Sequence, residues 1–333
     1  MPEGRRACPG RARAWIQRGV LALAAILTLW ALQGVRPVGV VLRLGAGVWL
    51  ATGGLVLLST LLAYLPSWIF LRAAGHRISF SGFSAIMLAS QAVNASNPLR
   101  MGFPMRVYFL RDRYGVPLAT ASFLIPFEAF MTVVVAALCA LVTAPFLVAG
   151  PESWWKLALG LASGAACLAA MGAGRMAARG RMPGPRWLPE RAQRVWNALQ
   201  TPMARVTPAT LGLFGALFLA SDLAIVGIMK VAGQSSGFDA SLPFLLGACS
   251  VSYLVGVISF MPQGLGTRDA ALGFLLHAGG ATPEQATGLV LLVRLATTGF
   301  TFVAGLIAAS LLGVSRAPVP AAGPRRGHIG IDP

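Results

Sequence analysis

Arg294 stands in the middle of the apolar run 286–312, in a chain of 333 residues of which only 10 are acidic. A run of that length and character is a bilayer span, and a guanidinium at bilayer depth costs about 2.5–3.5 kcal/mol on insertion scales. An arginine persists there when it faces a partner or a polar substrate inside a bundle. Few partners are offered near apolar sequence: Glu128, Asp222, Asp269 and Arg268 accompany Arg294, and most other charges sit in tails and loops. The expectation is an all-α polytopic bundle with a small charged interior.

Composition agrees. With 56% hydrophobic and 11% charged residues the chain departs far from soluble domains, which carry roughly 25% charge. The net charge of +17 follows the loops between apolar runs, as retention of Lys and Arg on the cytoplasmic side predicts, and no basic soluble module is present to hold nucleic acid. Cys8, Cys139, Cys167 and Cys249 form no C-x-x-C pair, and His76, His277 and His328 lie beside no cluster of metal-ligand spacing. Neither a metal nor a cofactor is expected. The basic start from Arg5 to Arg18, followed by an apolar stretch from Val20 to Val35 without a small-x-small cleavage site, reads as an uncleaved first span.

Helical spans of about 20 residues are expected over 19–35, 46–71, 117–149, 153–174, 209–232 and 286–313. Two further stretches, 79–114 and 240–282, are apolar but cut by Pro, Gly, Asn and charges. With residues 1–18 as a basic cytoplasmic tail, Arg72 and Arg77 return inside after two crossings, and the loop 175–205 with its 7 arginines belongs inside as well. The stretch 79–114 must then make no net crossing, and 240–313 must make an odd number, one or three, to bring the basic tail 314–333 inside. One domain, 19–313, is expected to hold two re-entrant or broken-helix hairpins. Such backbone is tolerated at membrane depth only where protein or a wet cavity surrounds it, which makes the hairpins the candidate site. The alternative is a pair of interfacial helices packed on the bundle surface.

The hairpins also repeat. Pro98 and Gly102 share their spacing with Pro262 and Gly266, and Pro117 precedes Glu128 as Pro283 precedes Arg294. Because the first hairpin is entered from inside and the second from outside, the copies form an inverted repeat. Equivalent places for Glu128 and Arg294, and an approach near the midplane directly or through Asp269 or substrate, are expected. Asn97 to Arg106 and Gly264 to Asp269 are expected to line one polar cavity from opposite sides.

Two segments carry a family likeness. Asn97-Pro98-Leu99-Arg100-Met101-Gly102, followed by Arg106, Arg111 and Glu128, resembles the first signature of the lysylphosphatidylglycerol synthase transmembrane (flippase-like) family. Pro262-Gln263-Gly264-Leu265-Gly266-Thr267-Arg268-Asp269, followed by Arg294, resembles the second. Phe103 and Ala129 stand where the pattern often carries an acidic residue and an arginine, its acidic residue near Thr132 is missing, and Asp269 stands where it has glutamate. The resemblance implies an integral membrane module that moves charged lipids, of aminoacyl-phospholipid, glycolipid or polyprenyl-phosphate type, between leaflets. The candidate site is Asn97, Arg100, Gly102, Arg106, Glu128, Gly264, Gly266, Arg268, Asp269 and Arg294. Glycine lets backbone approach a ligand, and arginine forks suit phosphate. For Arg100 and Arg106 two readings stand, a phosphodiester clamp and simple anchoring to anionic lipid. Arg111 and Arg113 flank Asp112 and read as interfacial anchors.

Catalytic signals are not found. The longest polar stretch, 175–208, is too short for a transferase domain, and Gly172-Ala173-Gly174-Arg175-Met176-Ala177 follows an apolar helix instead of a strand, so it marks no nucleotide site. A non-enzymatic protein of the inner membrane is expected, with both termini cytoplasmic. Its expected partners are a lipid of anionic or zwitterionic headgroup and a separately encoded transferase or synthetase. Two other functions fit the sequence: a glycosyltransferase or lipid-modifying accessory acting on polyprenyl phosphate, and a non-catalytic partner of a synthetase.

Overall fold

Backbone polar groups in lipid must be satisfied within their own segment, so the apolar runs become helices. The computed structural model describes residues 44–96, 100–147, 193, 207–259 and 266–312. The expected spans 19–35 and 153–174, the loop 175–205 and both tails lie outside them. The described helices are α1 (Ala46–Ala73), α2 (Phe80–Ser96), α3 (Gly102–Tyr114), α4 (Leu118–Leu147), α5 (Pro208–Ser235), α6 (Leu242–Ile258), α7 (Thr267–Ala278), α8 (Pro283–Arg294) and α9 (Phe300–Leu311). A π-helical turn, Leu295–Gly299, joins α8 to α9. Four described helices are long and apolar enough to cross a membrane: α1, α4, α5 and the continuous α8–α9.

Large apolar side chains cover the outside of the bundle. Leu50 is 78% exposed, Val142 72% and Leu311 80%, a surface that water would penalise and lipid accepts. The inside holds Ser59, Ser67, Asn94, Arg106, Ser221 and Ser252. This is a multi-pass membrane protein.

Each interrupted stretch folds as a pair of short helices, α2 with α3 and α6 with α7. At 17, 13, 17 and 12 residues, all four fall short of the roughly 20 that span a bilayer. Local signals set their ends. Gly115 adopts φ 63° and closes α3, its N–H reaching the carbonyls of Arg111 and Leu110. Ser241 caps α6 with Pro243 in its first turn, and Thr282 and Gln285 cap α8 reciprocally ahead of Pro283.

The repeat expected from spacing extends to whole elements. Both α1 and α5 have 28 residues, and both α2 and α6 have 17. Packing follows the same symmetry: α1 lies on α5, while α2 packs on α9 and α6 on α4, each half embracing the last helix of the other. Ser59 meets Ser221, and Leu55 meets Gly227 further along, so α1 and α5 run antiparallel. A two-fold axis perpendicular to these helices generates that arrangement.

The core divides accordingly. Phe70, Phe83, Phe123 and Phe127 fill the first half, joined by Phe214 of α5, with Phe123 stacked on Phe127 at 5.2 Å and Phe127 against Phe214 at 5.5 Å. Ile228, Met229, Leu245, Leu276, Leu289 and Leu292 fill the second, joined by Val56 of α1. Glycine permits the close crossings. A Cβ on Gly102 would run into the Ser90 carbonyl and the Asn94 amide, and one on Gly305 into the Leu88 carbonyl and Ala92.

Candidate functional site

The axis opens onto a cavity of about 830 Å³ to which both halves contribute. From the first come Ser59, Thr60 and Tyr64 on α1, Gln91 and Asn94 on α2, Arg100, and Thr132 on α4. The second supplies Ser221 and Asp222 on α5, Ser250 and Tyr253 on α6, Arg268 on α7, then Arg294 and the threonines 297, 298 and 301. The π-helical turn explains that last row, because a π insertion widens the helix locally and turns extra side chains inward, as at many functional sites.

Three guanidinia, of Arg100, Arg268 and Arg294, share the lining with the carboxylate of Asp222. Arg294 donates from Nε to Asp269 Oδ1 at 2.6 Å, and Asp269 Oδ2 accepts the Gly266 N–H at 3.4 Å, so one carboxylate both neutralises Arg294 and caps α7. Gly266 has φ 82°, the left-handed backbone that glycine permits at this entry. Arg268 lies 5.4 Å over the Tyr253 ring. Arg100 holds φ 51°, the one non-glycine residue at positive φ among the described residues. A residue strained by about 1–2 kcal/mol is retained where its side chain is needed, and this one faces the cavity. Neither Arg100 nor Arg268 forms an ion pair among the described residues.

Helix ends add to the positive field. Phe103, next to the start of α3, and Arg268, next to the start of α7, both line the cavity, so both short helices begin at it. Their positive N-terminal dipoles favour an anion there.

Arg106 and Glu128 lie elsewhere. Arg106 is buried at 2% exposure and donates to both Glu128 oxygens, at 2.6 and 2.5 Å, while Ser67 donates to the same carboxylate. Phe83 lies 5.9 Å from the Arg106 carbon. This fork welds α3 to α4 and α1. It corrects the reading of Arg106 as a phosphodiester clamp, because both terminal nitrogens are already engaged by a carboxylate.

The direct approach of Glu128 to Arg294 is corrected too. Thr132 donates to the Glu128 carbonyl at 2.8 Å and Thr297 to the Val293 carbonyl at 2.7 Å, and both threonines line the cavity. That register sets Glu128 opposite Val293 and Ala129 opposite Arg294, one residue away from the alignment of the prolines. Ala129 and Arg294 accordingly face the cavity while Glu128 turns to Arg106.

Of the other expected residues, Asn97 and Gly264 lie outside the described ones. Gly102 serves the contact of α2 with α3. Asp222 and Tyr253 were missed as site residues, and only Asp222 had a signal, a carboxylate isolated in the apolar run 209–232. Tyr253, Gln91 and the threonines look in sequence like ordinary helix residues.

The family model for the lysylphosphatidylglycerol synthase TM region matches residues 17–305. No curated protein matches the chain.

Proposed function

The chain belongs to the lysylphosphatidylglycerol synthase TM region family, and from that premise we propose that it translocates a phosphate-bearing lipid between leaflets, the headgroup passing through the cavity between its two halves. The observation that carries this reading is the pairing state of the arginines. Arg106 and Arg294 are held by carboxylates, while Arg100 and Arg268 face the cavity without an ion pair among the described residues. Guanidinia left open at membrane depth, at the positive ends of two short helices, suit a phosphate.

In this reading α2–α3 and α6–α7 are re-entrant pairs that hold their inner ends against the headgroup, and the apolar outer faces of the bundle leave the acyl chains in lipid. The protein works without catalysis in the plasma membrane, with both termini inside. Labelling of single cysteines should then find positions 152 and 235 outside and 186 inside.

The deciding experiment reconstitutes the full chain in vesicles with a fluorescent phospholipid and destroys the outer-leaflet dye chemically. Charged hydrogen bonds contribute about 1.5–3 kcal/mol each, so Arg100→Gln and Arg268→Gln should each slow exchange roughly ten- to hundredfold. Exchange equal to protein-free vesicles, or arginine variants as fast as wild type, overturns the proposal.

A further inference from the structure

Asp222 sits on the spanning helix α5 and is the one acidic residue in the cavity lining among the described residues. No hydrogen bond or ion pair engages its carboxylate among them. The carboxylates of Glu128 and Asp269, on α4 and α7, are each held by an arginine. Arg268 acts on Asp222 through space, yet the two have not closed into an ion pair. An unpaired carboxylate at bilayer depth relieves its cost in one of two ways, by closing on a cation or by taking up a proton. Both routes are open here, and they exclude each other at Arg268, which is the open cation within reach of Asp222. Resting on the cavity as the phosphate site of the proposed function, we propose that Asp222 is a proton-binding site and that capture of a headgroup phosphate by Arg268 takes up one proton there.

The linkage has two physical sources. Ionised Asp222 competes with phosphate for the Arg268 guanidinium, and a phosphate arriving beside it meets a like charge. Protonation removes both obstacles, and by reciprocity a bound phosphate favours the proton as much as the proton favours the phosphate. The rest of the surroundings cannot take this role. Tyr64 on α1, Cys139 on α4, and Cys249 and Tyr253 on α6 are the other titratable groups facing Asp222, and thiols and phenols ordinarily ionise above about pH 8. Arg100, Arg268 and Arg294 stay charged throughout. Protons have a route inward, because a cavity of about 830 Å³ lined by Ser59, Thr60, Ser221 and Ser250 admits water. The two-fold relation fixes the count. Since Ser59 and Ser221 are equivalent, the residues that follow them, Thr60 and Asp222, are equivalent too, and threonine does not titrate. One half therefore binds a proton where the other offers a hydroxyl, which gives one proton per headgroup.

The test is calorimetric binding of dioctanoyl phosphatidylglycerol to the full chain in detergent, from about pH 5 to about pH 8, in buffers of different ionisation enthalpy that count the protons exchanged. The phosphodiester of this lipid stays ionised across the range, so any proton taken up goes to the protein. Wild type should bind more tightly as pH falls, by at most about tenfold per pH unit, with uptake of up to about one proton per lipid. Asp222→Asn, which copies the protonated acid, and Asp222→Thr, which copies Thr60, should bind equally well at every pH and take up none. Each of these variants removes an unpaired charge, so its thermal stability should equal or exceed that of wild type. Arg268→Gln should weaken binding and reduce the uptake. Wild-type binding that is independent of pH, or a pH dependence that survives in both Asp222 variants, overturns the proton site and leaves the phosphate site standing if Arg268→Gln still weakens binding. Absence of binding to wild type, or binding indifferent to Arg268→Gln, overturns the phosphate site and this inference with it.

Discussion

The hydroxyls of Ser59 and Ser221, 162 residues apart, meet at 2.9 Å, and Ser221 also donates to the Ser59 carbonyl at 3.0 Å. A residue touching its own repeat equivalent marks the place where a two-fold axis passes. Both serines line the cavity, so the axis and the proposed headgroup path coincide. Small hydroxyl side chains fit this crossing because they let two helices approach closely and satisfy each other in a medium with no water to spare.

Cysteines at these two positions should crosslink. With the four native cysteines replaced, Ser59→Cys with Ser221→Cys is expected to form a disulfide under mild oxidation, seen as a mobility shift that reducing agent reverses. Shifting one partner by a residue, Thr60→Cys with Ser221→Cys, should give much less product. Equal yields from both pairs would contradict the packing of α1 on α5.

The ion pairs make a second prediction. Removing one partner of a buried pair leaves an uncompensated charge and costs about 3–5 kcal/mol. Glu128→Gln and Arg106→Gln should each lower folded yield, and their double variant should lose no more than the worse single. Arg294→Gln and Asp269→Asn should couple to each other in the same way, whereas Glu128→Gln with Arg294→Gln should add. Thermal unfolding in detergent measures all three cycles. Strong coupling between Glu128 and Arg294 would mean that the pairs cross the axis instead of staying within each half.

Much of this fold is legible from sequence because membrane depth restricts backbone so severely. The runs 46–71, 117–149 and 209–232 became α1, α4 and α5 within a few residues at each end, and the interrupted stretches became two short helix pairs. Proline spacing revealed the repeat but misplaced its register by one, since Pro117 aligns with Thr282 as the residue whose carbonyl opens each helix. One residue along a helix is about 100° of rotation, enough to send Glu128 to Arg106 and Arg294 to the cavity. Charge alone could not say which arginines are paired and which are open. That depends on which helix faces which, and α2 packing on α9 across the repeat has no signature in either segment.

Glycine substitutions separate tight crossings from open surface. Gly102→Ala and Gly305→Ala place a methyl against backbone carbonyls of α2 and should cost about 1–3 kcal/mol, with lower yield and melting temperature. Gly47 and Gly53 sit inside α1 with open space where an alanine methyl would go, so alanine there should add about 0.5–1 kcal/mol. If all four behave alike, the close approach of α2 to α3 and α9 is not as described.

Arg100 should trade stability against activity. Its φ of 51° places a Cβ where the left-handed region strains it by about 1–2 kcal/mol, and glycine adopts the same backbone freely. Glycine also costs more entropy to order, roughly 0.5–1 kcal/mol, so the net gain for Arg100→Gly is about 0.5–1 kcal/mol. If the strain holds the guanidinium toward the headgroup, the same variant should lose most lipid exchange while melting higher in detergent. Arg100→Lys keeps both strain and charge but lacks the planar fork, so it should melt like wild type and recover only part of the exchange. A glycine variant that melts lower than wild type would show that Arg100 contributes contacts worth more than its strain, and a glycine variant that exchanges lipid normally would remove Arg100 from the path.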